Sequence, residues 1–181
     1  MDNVLRIFSK NIVLVGFMGT GKTSVGKILA RKLNREVFDV DALIEENEGR
    51  KIADIFEEDG EARFRQIEKE AIKKIAENEN VVITTGGGAA LEAENMQVLR
   101  AKGWIVALTA SPETIYNRVR NSRHRPLLKS PNMFLEIKRL LAERKKFYEV
   151  ADYSFETDRK TPSQVADGIL MTLEANLEGA L

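Results

Sequence analysis

The octapeptide Gly16 to Thr23, GFMGTGKT, constrains this chain more than any other feature, because it matches G-x-x-x-x-G-K-[ST] in the context where that pattern has a mechanism. The segment Asn11 to Val15 before it is an apolar run rich in β-branched residues and reads as a strand buried on both faces. After it, Val25, Ile28, Leu29 and Leu33 recur at helical spacing and predict an amphipathic helix over 22–33. In that strand, turn and helix, Gly19 and Gly21 let backbone N–H groups face inward around a phosphate chain. The helix N-terminus adds positive potential, and Lys22 brings a full charge to the β- and γ-phosphates. The Thr23 hydroxyl is suited to Mg²⁺. The competing reading is a glycine-rich turn carrying an exposed lysine.

Strand and helix signals alternate through the rest of the chain. Strands are expected at Glu36 to Val40, Val81 to Thr85, Trp104 to Thr109 and around Tyr153 to Phe155. Phe64, Ile67, Ala71, Ile72 and Ile75 mark one face of a long helix, and Ser111-Pro112 and Thr161-Pro162 each read as a hydroxyl cap with proline at N1. This alternation predicts a parallel α/β sheet. Residues 121–131, NSRHRPLLKSP, break the rhythm, and both a mobile lid and an ordinary surface loop fit that composition.

A phosphate loop identifies a nucleotide-binding superfamily without naming a reaction, so the other polar clusters must supply the acceptor. Asp39 and Asp41 in FDVD are expected at the end of strand two, where a period of two would aim both carboxylates at the mouth of the sheet. One would hold hydrated Mg²⁺ and the other a substrate hydroxyl; alternatively, Asp41 only caps a helix beginning at Ala42. Gly86, Gly87 and Gly88 follow an apolar strand directly and fit either close backbone approach to a ligand or a plain flexible turn. Arg65 has Glu61 and Glu68 at helical neighbour spacing, so a solvated ion pair competes with a ligand role. Arg118, Arg120, Arg123, Arg125 and Arg144 are no clearer taken singly.

Composition narrows the setting. Over 181 residues, 28 basic side chains balance 28 acidic ones, so an anion site must be local and no bulk charge draws the chain to nucleic acid or an anionic membrane. With no cysteine and one histidine, His124, thiolate and His-rich metal sites are excluded. The N-terminus intersperses charges among apolar residues, unlike a signal peptide, and no apolar run reaches membrane-span length; a single cytoplasmic domain, monomeric, is the expectation.

Taken together, GFMGTGKTSVGKILA, FDVDALIE, IADIFEEDGEARFRQIE, TTGGGA, RPLL and AERKKFYEVAD resemble the shikimate kinase family in identity, order and spacing across nearly the whole chain. The most specific pieces are GE-x-x-FR-x-x-E at Gly60 to Glu68 and RPLL at Arg125 to Leu128. The resemblance implies a three-layer α/β/α P-loop NTPase fold, nucleoside-monophosphate-kinase-like, with a five-stranded parallel sheet in the order 2-3-1-4-5. It implies ATP-dependent phosphorylation of the shikimate 3-hydroxyl, giving shikimate 3-phosphate and ADP in aromatic amino acid (chorismate) biosynthesis.

Carried over position by position, it implies that Gly19, Thr20, Gly21, Lys22, Thr23 and Ser24 wrap the ATP phosphates, with Thr23 and Asp39 serving one Mg²⁺. Asp41 binds ring hydroxyls and accepts the proton of the attacking one. Arg65 and Arg144 bind the shikimate carboxylate, and Gly86, Gly87 and Gly88 offer backbone to the substrate. Arg125 swings in with the lid to steady the transferring phosphoryl group, and Arg118 stacks near adenine. His124, beside Arg125, is read as solvent-facing. The alternatives are a P-loop kinase for another hydroxy acid such as gluconate and a non-catalytic nucleotide-binding module. A GTPase lacks support, since no N-K-x-D motif is present.

Overall fold

The computed structural model describes residues 9–120 and 132–178. The segment 121–131, with Arg123, His124 and Arg125, therefore lies outside the described residues. The first unit is β1 (Asn11–Val15), the phosphate loop and α1 (Lys22–Leu33), followed by β2 (Val37–Asp39), α2 (Val40–Glu48), α3 (Ile52–Glu58) and α4 (Gly60–Ala76). Next come β3 (Val82–Thr84), a 3₁₀ turn (Ala89–Leu91), α5 (Ala93–Lys102), β4 (Gly103–Thr109) and α6 (Pro112–Val119). The chain continues with α7 (Met133–Tyr148), β5 (Tyr153–Glu156) and α8 (Pro162–Glu178).

The strands form one five-stranded sheet in the order β2-β3-β1-β4-β5, with every pairing parallel. Because side chains alternate along a strand, β1 serves two cores at once. Ile12 and Leu14 pack with Val25 and Leu29 of α1 and Val165 and Ile169 of α8. Val13 and Val15 face the opposite layer, with Ile72 and Ile75 of α4, Leu99 of α5 and Ile137 of α7. β1 lies between β3 and β4, so crossovers leave it to both sides and open a crevice at its C-terminal end. The phosphate loop occupies that crevice.

The FDVD expectation needs correcting in one respect. β2 stops at Asp39 and the backbone turns helical at Val40, two residues before the expected start, so the two aspartates do not alternate along a strand. The helix cap is Asp39, whose Oδ1 accepts from the Ala42 N–H at 3.1 Å, and Asp41 sits in the first turn. Asp39 drives this because an N-cap aspartate satisfies a helix donor that an extended chain would leave to the sheet. α3 and α5 were not among the expected elements.

Candidate active site

The phosphate loop is shaped by its glycines at two points. Gly21 has φ +98° and is the N-cap of α1, a left-handed position that a side chain would strain. Gly16, at φ +140°, is pressed against the Leu108 carbonyl, where a Cβ has no room. Lys22 is buried and folds back over the loop, donating to the Gly16 and Phe17 carbonyls at 2.7 and 3.0 Å. That contradicts the reading of an exposed lysine on a plain turn: the amine is held over the loop's concave face by backbone dipoles.

Beside it, Asp39 Oδ2 accepts from the Thr23 hydroxyl at 2.9 Å and the Thr84 hydroxyl at 2.8 Å. Thr23 and Asp39 come from adjoining elements and bring hard oxygen donors together at the head of α1. Such a pair suits Mg²⁺, which commonly takes one or two protein oxygens and completes its shell with water and phosphate. Among the described residues no group of three or more carboxylate, histidine or cysteine side chains is arranged to hold a metal by itself.

Met18, Gly19, Gly21, Lys22, Thr23, Ser24, Asp41, Thr85 and Gly87 line a cavity of about 250 Å³. Asp41 is half-buried in its wall, and its carboxyl is pushed up to about 6, first by burial and then by the charge of Asp39, with Lys22 opposing the shift. The glycine triplet allows this crowding. A Cβ on Gly86 would stand 2.6 Å from Asp41 Oδ1 and 3.1 Å from Glu68 Oε1; on Gly87, 3.1 Å from the Met18 nitrogen; and on Gly88, 2.5 Å from both Arg65 Nη atoms. Close approach therefore explains the triplet, and a plain flexible turn does not.

Arg65 does pair with Glu61 (2.9 Å) and Glu68 (2.7 Å), and only the Glu61 side of that pairing is solvated as spacing allowed. The Glu68 side chain is 0% exposed and that of Arg65 15%. Glu68 Oε1 is buried without a partner, and burial raises the carboxyl's pKa while Arg65 opposes the rise. On α7, Arg144 is buried with its guanidinium 5.6 Å from the Phe17 ring centroid and a long contact, 3.4 Å, to the Gly87 carbonyl. The Tyr148 hydroxyl donates to that same carbonyl at 2.7 Å, and burial pushes its pKa up to about 12. Both arginines thus converge on the glycine triplet from opposite helices.

Arg118 lies across the loop, donating to the Gly19 carbonyl (3.0 Å), Thr157 Oγ1 (3.0 Å) and the Thr157 carbonyl (2.9 Å). Asp158, next in the chain, accepts from both the backbone N–H and the hydroxyl of Ser111. These contacts tie the segment after β5 to the phosphate loop. Sequence reasoning overlooked Thr84, Thr85, Tyr148 and the inward role of Glu68. Only Glu68 carried a signal, its spacing of three from Arg65.

A phosphate loop at the switch point of a five-stranded parallel sheet in this order, with helices on both faces, defines a P-loop kinase. A family model described as shikimate kinase matches residues 18–174. A shikimate kinase from Sulfurihydrogenibium sp. (strain YO3AOP1) is 47% identical over 165 residues, covering 91% of this chain and 98% of that relative. The chain belongs to the shikimate kinase family.

Among solved structures, the shikimate kinase from Acinetobacter baumannii in complex with shikimate superposes with a TM-score of 0.91 at 36% identity, covering 96% of this chain and 98% of that one. A gluconokinase from Sinorhizobium meliloti is 19% identical with a TM-score of 0.62 and covers 96% of both chains, a likeness of fold alone.

Proposed function

We propose the following division of labour for transfer of the γ-phosphoryl group of ATP to the 3-hydroxyl of shikimate, with residues 1–181 acting as one kinase domain. Gly19 to Ser24 and Lys22 hold the phosphates, Thr23 and Asp39 hold hydrated Mg²⁺, and Arg118 borders the base. The metal, when bound, neutralises charge on the β- and γ-phosphates. Arg65 and Arg144 grip the shikimate carboxylate, since planar guanidinium forks suit that planar anion. Gly86, Gly87 and Gly88 let the ring approach the backbone, and Asp41 takes the proton of the attacking hydroxyl. Arg125, on a lid over 121–131, closes to steady the phosphoryl group and exclude water.

The observation that carries this reading is that Asp41 and Lys22 line one cavity while the buried Arg144 and the largely buried Arg65 meet at its glycine wall. Such an arrangement offers a proton acceptor beside the phosphate-binding Lys22 ammonium and an anion grip beyond it, which suits an acceptor that is both a polyol and an acid. A monomeric state, supported by the chain's size and balanced charge, and action in the cytoplasm, supported by an N-terminus unlike a signal peptide, belong to the same reading. No helix of the described residues is long and apolar enough to cross a membrane.

The test is coupled ADP release with MgATP and shikimate, with gluconate, and without acceptor. Turnover only with shikimate is expected. Turnover with gluconate instead would overturn the acceptor assignment, and release with neither would favour a nucleotide-binding module.

Gly88→Ala tests the anion grip separately. Its Cβ would displace the far end of a flexible side chain, so the variant is expected to fold while the Arg65 guanidinium moves off its place. Shikimate affinity should fall about tenfold, the value of roughly one charge-assisted hydrogen bond, with ATP affinity unchanged in calorimetric titration. Equal affinity for shikimate would detach Arg65 from the substrate.

A further inference from the structure

α7 has two working faces. Arg144 and Tyr148 reach the acceptor pocket, while Lys138, Leu141, Ala142 and Lys145 line a second cavity of about 630 Å³ that the phosphoryl-transfer site does not use. That volume lies within the range of small-molecule sites. It arises at the edge of the sheet. Tyr153 and Phe155 of β5 pack into the core shared with α8, whereas Ser154, opposite Ala107, points the other way and stays exposed. Ala110, Pro112 and Ala151 complete an apolar wall between that strand, the start of α6 and the flank of α7.

The polar groups around this wall have a net sign. Lys138, Lys145 and Glu149 line the cavity and are exposed, which puts their charges where it meets solvent. Lys145 and Glu149 form a loose pair at 3.6 Å with both side chains largely exposed, a contact of little strength. Lys138 has its amine 5.8 Å from the Phe134 ring centroid, a weak cation–π contact. Among the described lining residues one positive charge therefore remains over an apolar floor, with the Ser154 and Thr109 side chains as further polar lining.

Two of the lining residues also hold the active site. Tyr148 donates to the Gly87 carbonyl at 2.7 Å. The Thr109 carbonyl accepts from the Thr157 N–H at 2.9 Å and the Thr157 hydroxyl at 3.1 Å, and Thr157 in turn holds Arg118. A molecule leaning on Tyr148 thus presses on a group whose other end sets the position of the glycine wall.

We propose that this cavity is a second small-molecule site for a compact aromatic or alicyclic body bearing one carboxylate or sulfonate, coupled to the acceptor pocket through Tyr148. The coupling rests on the acceptor-pocket reading above; the binding does not.

Anilinonaphthalene sulfonate, fused apolar rings with one anionic group, is a suitable probe. Titrated into the full chain with ADP saturating, it should show saturable, one-to-one fluorescence enhancement. No enhancement, or enhancement that ADP abolishes, overturns the site. Ala142→Trp should fill the cavity and abolish dye binding while ADP release with shikimate persists. Lys138→Glu, a surface change that leaves folding intact, should weaken the dye about tenfold. Dye affinity unchanged in Lys138→Glu overturns the anion preference, and affinity unchanged in folded Ala142→Trp overturns the location.

Saturating shikimate should shift the dye's Kd about threefold, the dye should shift the Kd of shikimate by the same factor, and Tyr148→Phe should lose the shift. A wild-type protein that binds both with no shift overturns the coupling. Because dye binding is read without turnover, it stands or falls independently of the proposed reaction.

Discussion

Asp41→Asn is expected to slow phosphoryl transfer roughly 10²- to 10⁴-fold, the usual weight of a positioned general base, with ATP affinity little changed. Asparagine keeps the shape and the ability to hydrogen-bond a hydroxyl but cannot accept its proton. Single-turnover kinetics at saturating shikimate isolates this step. A rate near that of the unaltered enzyme would leave Asp41 as a binding group only.

The pH dependence sharpens that test. With the Asp41 carboxyl pushed up to about 6, the ionised form that accepts a proton is lost as pH falls through that value. The acid limb of kcat/KM is therefore expected at about pH 6 and should vanish in the residual activity of Asp41→Asn. The same shift has a stability consequence of defined sign. An aspartate in the unfolded chain titrates near 3.8, so the folded state binds the proton more tightly than the unfolded chain. Stability then declines between about pH 4 and pH 6 and stays reduced above that range. The neutral asparagine escapes this cost, and its Tm at pH 7 should lie above that of the parent.

Arg65→Ala is expected to lose both shikimate affinity, about 10- to 100-fold, and about 3–5 kcal/mol of stability. The second loss comes from Glu68, fully buried and stripped of its partner. Because burial already raises the Glu68 pKa, the stranded carboxyl will take up a proton where pH allows, so the stability loss should shrink toward acid. Adding Glu68→Gln should recover stability without restoring shikimate binding. Arg144→Ala is the contrast: Arg144 lies against Phe17 and the Gly87 carbonyl, and among the described residues no buried carboxylate is paired with it to be stranded. It should lose affinity with a smaller fall in Tm. Titration calorimetry and denaturant unfolding separate these effects, and an unchanged Kd for shikimate in both variants would falsify the anion-grip assignment.

Local pattern was enough for some of this site and insufficient for the rest. Lys22 and Thr23 were legible because the phosphate loop is contiguous and its function is performed by neighbouring backbone. The strands were legible because β1, β3 and β4 are buried on both faces and so carry apolar runs. FDVD misleads in detail: the pattern predicts a strand through Val40, but capping by Asp39 ends it one residue earlier and Val40 is already helical. For Arg65, spacing alone left a surface ion pair and a ligand role equally open. It correctly named Glu61 and Glu68 as partners and held no information on whether they face water.

By itself, the sequence determined the parallel α/β class, the phosphate loop and, through motifs matched in order and spacing, the family. These depend on residues near one another in the chain, where periodicity and backbone conformation suffice. The tertiary structure alone decided that the glycine triplet is packed against Asp41, Met18 and Arg65, that Glu68 is buried beneath the Arg65 guanidinium, and that Tyr148 links Gly87 to a second cavity. These contacts join residues dozens of positions apart, and burial, which sets their pKa values and energetic weight, is a property of the packed layers rather than of any segment.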